Sequence, residues 1–251
     1  MTAPTISLIV ACYGQRQMMS VFYDSVFAWH RAVRAEVELI VVDDCGDPKQ
    51  TIPNDMGLWG HQLLRVEKNI PWNQMGARNL GLHVARGEWV LMLDPDCTIR
   101  RLVMMNLLLE TRHGSGKAVR LLGLSCGGKV DMTSPNMWFG PKRVFDDVGG
   151  YDEDYAGNKG WSDVLMLHTI KGFGYSIVKE PRFCVDYHED IHEIPDCRVV
   201  TLDRSVKTNR ALHLRKHALG NRIGWRRYVK ENKGKNLRFP WKLIDSKPSK
   251  D

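Results

Sequence analysis

Three short apolar runs, each stopped by a polar break, constrain this chain most. They are Thr5–Ala11 (TISLIVA), Val37–Val42 (VELIVV) and Trp89–Leu93 (WVLML). Their length and β-branched content predict buried strands. The first ends at Cys12-Tyr13-Gly14, the second at Asp43-Asp44 and the third at Asp94-Pro95-Asp96. Between them lie helical patterns. Met18, Met19, Phe22, Val26, Trp29 and Val33 predict one amphipathic helix over residues 17–34. Asn73–Ala85 predicts another, closed by Arg86-Gly87. Strand alternating with helix is the pattern of an α/β fold with a mostly parallel sheet covered on both faces. Ligands of such sheets sit at the carboxyl ends of the strands. Tyr13, Asp43, Asp44, Asp94 and Asp96 are therefore expected along one edge.

The rest of the chain is less regular. Leu63–Val66 reads as a short strand and residues 100–112 as a helix. Residues 116–128 hold a strand, and 136–147 a strand followed by a short helix. Asp163–Lys171 reads as a helix closed by Gly172, and Tyr175–Val178 as a short strand. Residues 204–232 read as an amphipathic helix with Leu212, Leu214, Leu219, Ile223 and Trp225 available for packing.

Composition narrows the class. With 251 residues, 43% hydrophobic and 26% charged, the chain is long enough for a core without disulfides. No run approaches 18 uncharged apolar residues, so no membrane span is predicted. The N-terminal apolar run lacks a basic flank and reads as a first strand, not a signal peptide. Six cysteines without a CxxC pair read as reduced thiols of a cytoplasmic protein. No GxGxxG follows the first strand, and GxxxxGK[ST] does not occur. Dinucleotide binding and P-loop hydrolysis lose support.

Charge is split. Between Arg204 and Lys250 there are 15 Lys and Arg against two acids, whereas residues 1–203 carry 21 Lys and Arg against 26 Asp and Glu. The tail cations include Arg204, Lys207, Arg210, Arg215, Lys216, Arg222, Arg226, Arg227 and Lys230. Trp225, Tyr228, Phe239 and Trp241 interleave with them. Such a tail suits a polyanion, through phosphate contacts plus base stacking, or an anionic membrane surface. A solvated helical face is the plain alternative.

The acids suggest chemistry. Two carboxylates at a strand end, with no cation next to them in sequence, need a partner charge. A hard divalent ion sharing phosphate oxygens supplies one. Asp44 can accept from ribose or a base N–H.

Four blocks in order resemble the inverting, nucleotide-sugar-dependent glycosyltransferases of the GT-A fold, family-2-like. They are ISLIVACYG, ELIVVDDCG, NQMGARNLGLHVARGEWVLMLDPDC and FGPKRVFDDVGGYDEDYAGNKGWSDVLM, spanning roughly residues 5–180. The resemblance implies a GT-A domain over 1–203, with a nucleotide-sugar half (1–100) and an acceptor half (101–203). Residues 204–251 would be a basic, helical extension. It implies transfer of a sugar from a nucleotide diphosphate sugar, most commonly a UDP-sugar, to an acceptor hydroxyl, with Mn2+ or Mg2+.

Residue by residue, Ala11, Tyr13, Asp44, Arg78 and Asp94 would bind donor. Asp96 and His188 would bind metal, with His192 as the second choice after His188. Asp163 would be the base, with Asp152 and Asp154 as alternatives. Trp161 and Ser162 would meet the acceptor, Ser162 standing where the family usually has Glu. Family acceptors are glycans, lipid-linked sugars or proteins. The basic tail adds a hydroxylated DNA base, which would have to be flipped out of its duplex. A different class of function is a polyanion-binding protein on a decayed glycosyltransferase scaffold.

Overall fold

The computed structural model describes residues 3–47, 49–114, 116–132, 136–189, 206–232 and 236–247. The apolar runs become β1 (Ile6–Cys12), β2 (Val37–Asp43) and β4 (Trp89–Leu93), every residue of them buried. Between β2 and β4 come β3 (Gly60–Val66) and α3 (Gln74–Val84). The strand read at Leu63–Val66 is longer than expected. Next come β5 (Cys97–Thr98), α4 (Arg101–His113), β6 (Ala118–Cys126), β7 (Lys129–Asp131), β8 (Trp138–Pro141) and α5 (Lys142–Asp147). A 3-10 turn at Glu153–Tyr155 leads to α6 (Ser162–Gly172) and β9 (Ser176–Tyr187). The chain closes with α7 (Lys207–Ile223), α8 (Trp225–Asn232) and β10 (Trp241–Lys247).

The helix expected over 17–34 is two helices, α1 (Arg16–Phe27) and α2 (Arg31–Arg34). Trp29 explains the break. Its indole N–H leaves the helix to donate to the Ile99 carbonyl at 2.8 Å, and the His30 ring then caps α2.

The ten strands of the described residues form one sheet in the order β10-β3-β2-β1-β4-β8-β6-β9-β5, with β7 beside β6. β3, β2, β1 and β4 run parallel, so the carboxyl ends of β2, β1 and β4 are neighbours. Alternate residues of β1 face opposite ways. Ile6, Leu8 and Val10 join a core with α1, α2 and α4, while Ile9 and Ala11 join a second core with α3, α5, α6 and α8. Each is covered by helices, which is why these strands read as unbroken apolar runs.

β9 is longer than the strand expected at Tyr175–Val178. Its pairing with β6 jumps from Leu121↔Lys179 to Gly123↔Cys184. Residues 180–183, including Pro181, bulge where proline cannot donate to the ladder.

The C-terminal residues read as an extension are built into the body. β10 pairs antiparallel with β3, and Trp225, Tyr228 and Phe239 are buried in the second core. This corrects their reading as exposed base-stacking groups. Leu214, expected to pack, is 60% exposed. No helix among the described residues is long and apolar enough to cross a membrane. Cys12, Cys45, Cys97, Cys126 and Cys184 are free thiols.

Candidate active site

The site is built from the carboxyl ends of β1, β2 and β4. Tyr13 follows β1, half-buried, and its hydroxyl accepts from Asn69 at 2.9 Å. Ala11, read as a donor contact, is the penultimate residue of β1, with its side chain in the second core.

Asp43 shapes the loop after β2. It accepts from the Gly46 and Gln50 amides at 2.8 and 3.2 Å and is paired to Arg65. Gly46 lies against Gly14, where a Cβ would be 2.1 Å from a backbone nitrogen, so only glycine lets the β1 and β2 loops meet. Asp44 is buried and accepts from Asn73 at 2.9 Å. Burial raises its carboxyl to about 7 against the opposing Asn73 bond, with Asp43 adding to the rise.

The start of α3 reaches both acidic loops. Asn73 holds Asp44, and Gln74 donates to Asp94 at 2.7 Å. One turn on, buried Arg78 donates to Asp94 at 2.6 Å, to Asp163 at 3.1 Å and to the Tyr151 hydroxyl at 2.8 Å. No cation stands next to the Asp94-Pro95-Asp96 turn in sequence. Arg78 supplies one, brought in from the helix face. Burial still lifts Asp94 to about 6, with Asp96 and Asp163 adding to the rise and Arg78 opposing it.

Asp163 opens α6, where a carboxylate also meets the favourable end of the helix dipole. Its Oδ1 accepts from Arg78 and from Tyr151 at 3.0 Å, and Ser162 lies 3.4 Å from Oδ2. Burial pushes its carboxyl up while Arg78 and Tyr151 hold it down.

Tyr151 is placed by Asn79, the neighbour of Arg78. Asn79 donates to the Tyr151 carbonyl at 3.0 Å and accepts from its amide at 2.8 Å. Gly150, at φ 66°, comes so close to Asn79 that a Cβ would lie 2.4 Å from Oδ1. Tyr151, Asn73 and Gln74 were missed by sequence reading, although all lie inside the quoted blocks.

The alternative bases are committed elsewhere. Asp152 accepts from Lys216 and Tyr228, both at 2.7 Å, and Asp154 from Lys216 at 2.6 Å.

Asp96 and His188 are neighbours. The His188 amide donates to the Asp96 carbonyl at 3.0 Å, and its Nε2 lies 2.8 Å from Thr98 Oγ1. His192 lies outside the described residues. Among the described residues no three His, Cys, Asp or Glu side chains form a metal site by themselves. Trp161 is half-buried at φ 70°, just before Ser162.

Residues 7–113 match the family Glycosyl transferase family 2. Over 88% of the chain the fold superposes on 67% of a Staphylococcus aureus TarS chain in complex with UDP-GlcNAc, TM-score 0.66 at 17% identity. The fold is that of the GT-A glycosyltransferases. A second GT-A structure, the mannosyltransferase PcManGT from Pyrobaculum calidifontis in complex with GDP-Man and Mn2+, superposes with TM-score 0.57. The identity is again 17%, over 89% of this chain and 66% of that one. A 98-residue stretch is 31% identical to the succinoglycan biosynthesis protein ExoO of Rhizobium meliloti, covering 39% of this chain. The stretch spans about a quarter of the length of that relative, 27%.

Proposed function

We propose that this chain is an inverting, metal-dependent glycosyltransferase acting on a nucleotide diphosphate sugar. One observation carries the reading: a single buried guanidinium, Arg78, joins the strand-end Asp94 to Asp163 on the opposite wall. In this reading Asp94 is a donor-side acid and Asp163 the base across from it. UDP-sugar is favoured as donor, since the TarS structure holds UDP-GlcNAc, although the PcManGT structure holds GDP-Man.

In this reading Tyr13 stacks on the nucleobase and Asp44 accepts from the base or ribose. Asp94 and Arg78 face the donor sugar and diphosphate. Asp163 takes the proton of the acceptor hydroxyl while that oxygen bonds to the anomeric carbon. The bond from that carbon to the phosphate oxygen breaks, and the nucleotide diphosphate leaves. Tyr151 and Arg78 keep the Asp163 carboxylate oriented throughout. Asp96 beside His188 offers oxygen and imidazole donors that fit Mn2+ or Mg2+, with phosphate oxygens completing the set. When bound, that ion supplies neutralisation of charge on the departing diphosphate.

A donor panel with Mn2+, scored by nucleotide diphosphate release, tests this. Release from one sugar nucleotide, abolished in Asp163→Asn when an acceptor is supplied, supports it. Absence of release from every donor would leave the decayed-scaffold reading in its place.

A further inference from the structure

Two tryptophans flank the Arg78 site, and both adopt left-handed backbone angles uncommon for a bulky residue: Trp72 at φ 49° and Trp161 at φ 70°. Such conformations gather where the surrounding structure needs them. Trp72 immediately precedes Asn73 and Gln74, which hold Asp44 and Asp94. Trp161 immediately precedes Ser162 and Asp163. The two loops are tied by the Gly157 amide donating to the Pro71 carbonyl at 2.7 Å. Both indoles are half-buried, one side packed against the second core.

Each indole has a cation beside it. Lys159 lies 5.5 Å from the Trp72 ring centroid, and Arg210 lies 6.0 Å from that of Trp161. Both cations are exposed, and neither has a carboxylate partner among the described residues. Arg210 is not a loose tail residue. Its neighbour Asn209 is buried and donates to the carbonyls of Tyr155, Asn158 and Gly160 at 3.1, 2.8 and 3.0 Å. That clamp fixes the first turn of α7 to the loop that carries Trp161. The His213 ring packs 5.0 Å from Trp161 and completes the wall. The basic C-terminal segment is therefore a wall of the acceptor side.

We propose that Lys159 and Arg210 form an anion subsite beside Asp163, and that the acceptor is an anionic glycan bearing phosphate or carboxylate groups. The identification of that side as the acceptor side rests on the glycosyltransferase reading. The cations, positioned by the indoles, bind the charged groups flanking the hydroxyl to be glycosylated. A nucleic acid is disfavoured because Trp225, Tyr228 and Phe239, the tail aromatics that would stack on bases, are buried. A membrane surface is disfavoured because Leu214 is the one strongly exposed large apolar side chain among the described residues of α7.

The test uses the full chain and one polymer backbone in three charge states: dextran, carboxymethyl-dextran and phosphorylated dextran. Duplex DNA is the competing probe. Binding is measured at low and moderate salt. The charged dextrans should bind with an affinity that falls as salt rises, and neutral dextran should not bind. Lys159→Gln and Arg210→Gln should each weaken that binding about five-fold, and the double variant about twenty-five-fold. Arg222→Gln, at the far end of α7, should leave it unchanged. Equal loss in Arg222→Gln would reduce the effect to net charge and overturn the subsite. So would equal binding of neutral dextran, or a preference for duplex DNA through the same two residues. Donor hydrolysis is scored separately. A chain that binds charged dextran through these residues yet releases no nucleotide diphosphate would refute the enzyme reading and leave the anion subsite standing. With a turnover assay in hand, the two substitutions should raise the acceptor KM.

Discussion

Arg78 and Asp163 lie 85 positions apart in the chain and meet at 3.1 Å. The same guanidinium holds Asp94 at 2.6 Å, so one buried cation separates two acids that burial drives toward protonation. Removing it leaves like charges facing each other in a poorly solvated space.

Arg78→Met should therefore lower stability by about 3–5 kcal/mol at pH 8. The deficit should shrink at pH 5. Without Arg78 both acids keep raised folded-state values, so acid restores their neutral forms and removes the repulsion. Urea unfolding at the two pH values measures this, and an equal deficit at both would contradict it.

Asp163→Asn should lower kcat by about two to four orders of magnitude. Donor affinity should stay near that of the parent, since Asp163 is the base of the proposed reaction and not a proposed donor contact. Tyr151→Phe should give a smaller loss and move the acid limb of the pH–rate profile upward, because its hydroxyl helps hold Asp163 ionised. Titration of donor binding and a kcat–pH profile separate the two effects.

Asp44 is predicted to make donor affinity depend on pH. Its folded-state carboxyl is near 7, well above its ordinary value. The ionised form, which in the proposed function accepts from the base or ribose, gains population as pH rises from 6 to 8, so affinity should rise with it. Stability runs the other way. A raised carboxyl contributes no penalty in acid and destabilises as pH climbs through 7. Asp44→Asn should flatten the affinity profile and melt higher than the parent at pH 8, by less at pH 5, and not at all below the ordinary carboxylate value.

Trp225 is held between α6 and α7. A Cβ at Gly172 would lie 2.1 Å from its Cδ1, and one at Gly220 2.7 Å from its Cζ3. Gly220→Ala should cost about 1–3 kcal/mol by overpacking, despite alanine's better helix propensity. Thermal melting measures it. A gain in stability would mean that α7 is not seated on α6 as described.

Much of the N-terminal half of the sheet could be read from residues alone. Strands buried on both faces leave unbroken apolar runs, and β1, β2 and β4 were placed to within a residue or two. β10 left no such trace. Trp241–Lys247 lies at the sheet edge with most side chains exposed, so nothing in its pattern distinguishes it from a polar tail. The acids were visible because their strands end on them. Their partners were not. Arg78 was noticed within a motif, but its pairing with Asp163 depends on how β8, α5 and the 149–161 loop return to α3. The same holds for Asn209. Its neighbours in sequence are basic and suggested a solvated or polyanion-binding face, while its three carbonyl contacts are all more than 45 positions away.

The place of β10 has a consequence for how the chain is made. β3 sits beside β2 early in the sequence, yet its other edge stays bare until residues 241–247 have been synthesised and reach it. Throughout translation the nascent protein carries an open strand edge, Gly60–Val66, able to pair with any extended segment nearby. Cutting the chain just before Trp241 would leave that edge permanently bare. A shortened protein of that kind would be lost to aggregation, and its inactivity would say nothing about the chemistry at Asp163.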